Sequence, residues 1–457
     1  MSSPLRTLFP AVSALLPRLA AIAMLGLFLY GCAAPPKMSI FRSWDEQPET
    51  AIERHSFPVE KGDRVIGRLA KVRVKDGDTL PDIARHFGLG LDELIAANPE
   101  TDVWAPPTGS RVLLPLMFIL PDSPRQGIVI NLAAMRLFYY GAQGKSSAIA
   151  TYPVGIGEEG RSTPVGAMFV ERKAVKPTWY VPASIRRDHQ QKGDPLPPEV
   201  APGPDNPLGE YALYLSRPSY VIHGTNKPYS IGLRATNGCI RLYPEDIRKL
   251  YQAAPVKTKV HIVNQPYLIG RANGTLYLEV HAPQEEMNAG EVQKRLYARL
   301  KELEKSESLQ IDWNRVDETV RQARGIPVPV LRGGESVGSI IAGAVEIEAP
   351  AELRGQPRIP AMKNGAWYVR AAESPREINA RRLAAVLNHQ GPQIPARVVQ
   401  KGNLYQVVAG PYVNQKAAAV DARRLRSDLE IDGVLIAPSG TRELVLDTSR
   451  NQVTGNR

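Results

Sequence analysis

Between Val221 and Leu242 the chain reads "VIHGTNKPYSIGLRATNGCIRL". This stretch holds Cys239, one of two cysteines in 457 residues, and His223, one of seven histidines, sixteen positions earlier. The apolar run "YVI" ahead of His223 predicts a strand ending there, and Gly224, Pro228, Gly232 and Gly238 predict a loop that folds back. Such a loop brings positions far apart in sequence into contact. A free thiol has a pKa of roughly 8.5, so a neighbouring histidine is needed to take its proton or hold the thiolate. Gly238 permits a sharp bend that aims the N–H groups of Gly238 and Cys239 at a developing oxyanion. Arg241 adds positive charge to stabilise thiolate or orient a substrate carboxylate. The competing reading is a buried cysteine in a β-rich core with a histidine that only satisfies a turn. A zinc site is disfavoured, because no second cysteine or neighbouring histidine completes a ligand set; no metal and no cofactor is expected.

Outward from this stretch, the length exceeds one ordinary core and predicts several domains. The net charge of +11 is scattered and fits nucleic acid, anionic membrane or acidic polymer equally. The N-terminus is more informative. Arg6 and Arg18 precede "LAAIAMLGLFLY", an apolar run suited to a signal h-region and short for a bilayer span. Leu29-Tyr30-Gly31-Cys32 resembles a bacterial lipobox, which implies cleavage after residue 31 and lipidation of Cys32. Tyr30 is bulkier than the residue usual at its place. A plain signal peptide or membrane anchor with an incidental cysteine is the alternative. Ala33 after the cysteine leans, in that family, toward outer-membrane sorting, so a lipid-anchored periplasmic protein is expected. With Cys32 acylated, Cys239 is a lone thiol in an oxidising compartment, where structural cysteines normally pair.

Residues 32–68 read as a polar tether with no sustained period. In 69–117, Val72 and Val74 alternate as a strand, and Thr79 is placed to cap a helix carrying Leu80, Ile83, Ala84 and Phe87. A second helix carries Leu91, Leu94 and Ile95, and "RVLLP" closes as a strand. This βααβ plan, with "GDTLPDIARHFG" and "LIAANP", resembles a LysM module, which implies binding of N-acetylglucosamine-containing glycans; a small packing domain without ligand is the alternative. Residues 124–266 are strand-rich, with a helix at "YPEDIRKLY". Residues 267–325 read as a hairpin turning at Asn273-Gly274, then a charged helical extension with a solvated face. The Pro/Gly-rich stretch 326–362 reads as linker. In 364–438 the plan repeats: Ala380-Arg381-Arg382-Leu383 and Ala422-Arg423-Arg424-Leu425 lie 42 apart, as do Gly391 and Gly433. Two strand–helix–strand halves predict a four-stranded sheet with two helices on one face. The segment resembles a SPOR domain, which implies binding of glycan strands stripped of peptide; a generic βαβ interaction domain is the alternative. Residues 439–457 read as a tail.

"IHGTN…IG…TNGCIRLYPEDI" resembles the signature of the YkuD-type L,D-transpeptidases. "TPVG", "PTWYVPASIR" and "GPDNPLG" resemble segments of its periplasmic, LysM-containing ErfK/YbiS-like branch. The resemblance implies a multidomain α+β chain whose catalytic domain is mainly β, a β-sandwich with short helices. It implies Cys239 as nucleophile and His223 as general base, with Gly224, Thr236, Gly238 and Arg241 shaping the oxyanion site and pocket. Asn237 departs from the family pattern, where histidine or serine is common, and bears on fine tuning. The implied activity is peptidoglycan L,D-transpeptidation: a cysteine thioester forms with a tetrapeptide stem, D-alanine leaves, and an amine takes the acyl group. The outcome is a 3–3 cross-link or attachment of a Braun-type lipoprotein. An inactive wall-binding scaffold and an L,D-carboxypeptidase-type cysteine hydrolase are the alternatives. The expected partners are peptidoglycan and a membrane through the lipid anchor, with no nucleic acid.

Overall fold

The computed structural model describes residues 55–60, 62–141, 148–191, 195–438, 443–447 and 452–455. The expected signal peptide and Cys32 lie outside the described residues.

The LysM-like module follows from its sequence pattern. Strands Ala70–Arg73 and Arg111–Leu114 pair antiparallel around helices α1 (Leu80–Phe87) and α2 (Leu91–Ala97). The Thr79 side chain accepts from the Asp82 N–H at the N-cap of α1, and Gly88 ends it in the left-handed conformation. Leu80, Ile83, Ala84 and Phe87 fall on one face and are buried.

The catalytic segment is built on a nine-stranded sheet in the order Ser56–Pro58, Ala148–Pro153, Arg136–Tyr139, Ile128–Asn131, Lys259–Val263, Gly166–Val175, Tyr211–Leu215, Val221–His223, Ile240–Arg241. The long strand Gly166–Val175 joins two halves. Residues before its irregularity at Val170/Arg172 pair with Lys259–Val263, and those after pair with Tyr211–Leu215. An excursion between these halves carries α3 (Ala183–Gln191), none of whose residues is buried. Helix α4 (Pro244–Ala253) starts with Pro244 in its first turn and buries Ile247 and Leu250. The tether expectation fails for residues 56–67. Ser56–Pro58 adds an edge strand to the catalytic sheet, and Val65–Gly67 pairs with Met117–Ile119. Phe57 and Ile66 supply the driving force, each being almost fully buried. Strands of three residues leave too little periodicity to read.

The hairpin Tyr267–Ala272/Thr275–Val280 turns at Asn273 and Gly274, both with positive φ, the geometry of a type I′ turn. Helices α5 (Ala289–Ser306) and α6 (Trp313–Gln322) pack on it through Leu296, Leu300 and Val316, giving the extension its own small core. The linker expectation for 326–362 also fails. Val328–Pro329 adds to the hairpin, α7 (Val337–Ala342) follows, and Val345–Ile347 pairs parallel with Ala70–Arg73 as a third strand of the LysM-like sheet. Ile347 and Leu353 enter a core that also contains Leu80 and Phe87 of the LysM-like module and Val129, Phe138 and Ile149 of the catalytic sheet. Pro and Gly mark this segment's turns; its few apolar residues decide where it lies.

In the C-terminal module, α8 (Glu377–Asn388) and α9 (Gln415–Leu429) pack on one sheet. The repeated alanines Ala380 and Ala422 both point into that core. The sheet has six strands rather than four, because Glu443–Asp447 and Gln452–Gly455, read as tail, extend the ladder beyond Val434–Ile436.

Candidate active site

The strand Val221–His223 lies between Tyr211–Leu215, with His223 opposite Ala212, and Ile240–Arg241, with Ile222 opposite Ile240 and His223 opposite Arg241. The second pairing is parallel, and continuing it by one residue sets Cys239 level with Val221. Paired residues of a parallel ladder share a face, as do alternate residues of one strand. Val221, His223 and Arg241 therefore share a face, and Cys239, one residue before the ladder, lies beside Val221, whose N–H is directed at its sulfur. Two strand steps of about 3.3 Å and a strand spacing of about 4.8 Å put the Cα atoms of Cys239 and His223 about 8 Å apart, a gap that thiol and imidazole can bridge.

The loop between them is held from outside the catalytic sheet. Leu91 and Asp92, opening α2, donate their N–H groups to the carbonyls of Ile231 and Gly232 at 3.1 and 3.2 Å. Gly232, with φ +80°, lies so close that a Cβ would fall 2.3 Å from the Leu91 nitrogen. The Arg85–Glu245 pair, at 2.9 and 3.0 Å, ties α1 to the first turn of α4 just beyond Arg241. The LysM-like module is thus a buttress of the site.

Cys239 is partly exposed, and its Sγ donates to the Ser219 carbonyl at 3.5 Å. Burial pushes the thiol pKa up, while the Val221 N–H and the Arg241 charge oppose that rise. His223 is buried, and its Nδ1 meets the Gly224 carbonyl at 2.6 Å. That carbonyl only accepts, so Nδ1 carries the proton. Burial, and then the Arg241 charge, drive the imidazole pKa down to about 3 against the pull of the Gly224 and Leu208 carbonyls. The pair therefore rests as neutral thiol and neutral imidazole. Arg241 is itself depressed by burial. Its Nη1 donates to the Ala235 carbonyl at 3.2 Å, while its buried Nε has no hydrogen-bond partner among the described residues. A guanidinium held this way beside a thiol suits an incoming carboxylate.

The turn before the cysteine is built by Thr236 and Gly238. Thr236 Oγ1 donates to the Cys239 carbonyl at 2.7 Å and accepts from the Gly238 N–H at 3.1 Å. Gly238 has φ +95°, and a Cβ there would approach Tyr220 Cε1 to 3.0 Å. The expectation that the Gly238 N–H faces an oxyanion is corrected: the Thr236 hydroxyl occupies that donor. Gly238 instead sets the backbone path, and the Val221 N–H is the donor directed at the sulfur. Gly224 packs against Ile247 of α4, its Cβ position lying 3.2 Å from Ile247 Cγ2. Asn237 is exposed, and its side-chain oxygen accepts from Arg161, which also pairs with Asp188 of α3.

Sequence reasoning missed Arg161, Thr163 and Tyr220. Thr163 Oγ1 donates to the Gly238 carbonyl at 3.0 Å and accepts from the Gly157 N–H at 3.0 Å. The "TPVG" motif held the signal for Thr163. Nothing in the local sequence marks Tyr220 or Arg161, whose places depend on tertiary approach.

The site thus sets a partly exposed cysteine near a buried histidine at a strand end, in a mainly β domain, beside an arginine short of partners. Comparison with known proteins supplies the class. Residues 125–262 match the YkuD L,D-transpeptidase catalytic domain, 72–107 the LysM domain and 363–437 the SPOR domain. The chain is 38% identical over 288 residues to the probable L,D-transpeptidase ErfK/SrfK of Escherichia coli, covering 61% of this chain and 91% of that protein. It is 38% identical over 274 residues to the probable L,D-transpeptidase YbiS of the same organism, covering 58% and 89%. Against the probable L,D-transpeptidase YcfS, also of Escherichia coli, identity is 41% over 231 residues, covering 49% and 72%. The chain belongs to the YkuD family of L,D-transpeptidases. It is a peptidoglycan L,D-transpeptidase, a cell-wall enzyme of periplasmic type whose LysM and SPOR domains bind peptidoglycan.

Proposed function

We propose that Cys239 is the nucleophile and His223 the base of a two-step acyl transfer on tetrapeptide stems. The parallel register of His223 with Arg241, together with the approach of the Cys239 sulfur to Val221 two residues before His223, supports this reading. The stem enters with a carboxylate against Arg241. The Cys239 sulfur attacks the carbonyl of the meso-diaminopimelate–D-alanine bond while His223 takes the thiol proton. The tetrahedral intermediate collapses, the C–N bond breaks, and the D-alanine amine leaves with the proton held by His223. The thioester is then attacked by an amine, which passes a proton to His223 and expels the Cys239 thiolate; that proton returns to the sulfur.

The resting electrostatics fit this order. With an imidazole at about 3, His223 is a weak base until the substrate arrives. The Arg241 charge is the second cause of that depression, so a carboxylate neutralising Arg241 raises the base toward its working range.

Two finer assignments belong to the same proposal. Cys32 carries the lipid and tethers the chain to the outer membrane, supported by the lipobox-like Leu29–Cys32. The acceptor is a primary amine, either a second diaminopimelate or a lipoprotein lysine. Incubation with purified disaccharide-tetrapeptide, with and without such a lipoprotein, tests it. Cross-linked dimer or a lipoprotein conjugate is the expected mass; tripeptide alone, with no transfer product, contradicts it.

A further inference from the structure

The LysM-like and C-terminal modules are docked on one another. Arg381 on α8 pairs with Asp76 at 2.9 Å, and Arg382 Nε donates to Asp102 at 2.6 Å. His389, just past α8, meets Asp82 of α1 at 3.0 Å, its ring 5.5 Å from that of Trp104. Between these contacts lies a cavity of about 600 Å³. The Gly77–Thr79 turn and Trp104 form one wall, α8 and the edge strand Ala396–Lys401 the other, and Gln356 and Pro357 close an end.

We propose that this cavity is one composite glycan site that neither module makes alone, taking a short run of N-acetylated amino sugars. The proposal rests on the wall-directed reading above and deepens it. Trp104 and Tyr405, each half-buried, line the cavity from opposite walls and supply its aromatic surface. Asp78, Arg397 and Gln400 add hydrogen-bonding groups of both kinds, and the buried Arg397 Nε lacks a partner among the described residues. Carboxylates (Asp78, Asp82, Glu377) are interleaved with Arg381 and Arg397, which disfavours a polyanion or a polycation. A neutral ligand with polar edges and apolar faces fits, and the volume lies within the usual range for small-ligand sites, roughly 300–1,000 Å³.

The consequence is mechanical. Two separate grips add by effective concentration, each surviving loss of the other. A composite site fails when either wall is lost or when the modules part.

Titration calorimetry of the full chain with chitotetraose, and with amidase-stripped glycan fragments, tests this. One ligand per chain is expected, with Trp104→Ala and Tyr405→Ala each weakening binding tenfold or more. Arg382→Glu, which opens the interface from outside the cavity, weakens it comparably. Two ligands per wild-type chain, no binding of either probe, or Tyr405→Ala and Arg382→Glu binding like wild type would each overturn the composite site. The wild-type stoichiometry holds whether or not a variant folds. Release of D-alanine from soluble disaccharide-tetrapeptide, measured alongside, reports on Cys239 alone and separates failure of this site from failure of the catalytic reading.

Discussion

Arg136 offers the sharpest test of how the LysM-like module is fixed to the catalytic sheet. It is 1% exposed, on a central strand of that sheet. Its Nε and Nη2 meet the two carboxylate oxygens of Glu93 on α2 at 3.1 and 2.5 Å. Nη2 also donates to the Gly88 carbonyl at 3.2 Å, Nη1 to Thr151 Oγ1 at 3.2 Å, and the guanidinium lies 4.3 Å from the Phe118 ring centroid. Arg136→Met keeps most of the volume and removes every one of these polar contacts. Glu93 is then left buried with one remaining donor, the Gly90 N–H at 3.0 Å. Breaking one side of a buried pair costs about 3–5 kcal/mol. At about 2–4 °C per kcal/mol for a domain of this size, the melting temperature should fall by about 6–20 °C. The double variant Glu93→Gln/Arg136→Met removes the orphaned charge and should recover more than half of the loss. Differential scanning calorimetry with urea unfolding measures both. A single-variant loss under about 1 kcal/mol, the ordinary range for exposed pairs, would refute the idea that this ion pair fixes the module.

Iodoacetamide labelling of Cys239 should be slow between pH 5 and 7 and rise through and beyond the ordinary thiol range, because the resting pair is neutral; a labelling plateau already present at pH 5 would mean a thiolate–imidazolium pair instead. Gly238→Ala should cost about 1–3 kcal/mol of strain at φ +95° and lower kcat at least tenfold with the fold intact by circular dichroism; unchanged kcat would refute the turn's role. Burial alone would lower the His389 pKa, but the Asp82 carboxylate and the Ala385 carbonyl outweigh it and the nearby Arg85 charge, so the folded value is raised. Docking of the C-terminal module is therefore fully supported below about pH 6.5 and weakens as pH rises through the raised value. Limited proteolysis between residues 353 and 367 should be faster at pH 8.5 than at pH 6, and a reversed trend would contradict the assignment.

The sequence carried the elements whose local chemistry is explicit. Thr79 capped the helix expected of it, Asn273-Gly274 made the hairpin turn, and the offset of 42 between Ala380 and Ala422 matched two helices on one sheet face. The strand ending at His223 and the glycine turn before Cys239 were legible because both lie in one short stretch. What escaped depends on packing between distant segments. Val345–Ile347 becomes a strand only because Ala70–Arg73 offers an open edge, and Phe57 is buried only because the catalytic sheet has room beside Ala148–Pro153. The Gly238 N–H looked free because nothing in sequence tells a threonine two residues earlier to turn its hydroxyl inward.

Whether the sulfur of Cys239 forms the acyl intermediate is read by quenching the enzyme with acid during turnover of disaccharide-tetrapeptide and mapping its peptides by mass. The stem, less D-alanine, is expected on Cys239, with no adduct and no D-alanine release for Cys239→Ala. D-alanine release that persists in the Cys239→Ala enzyme would contradict it.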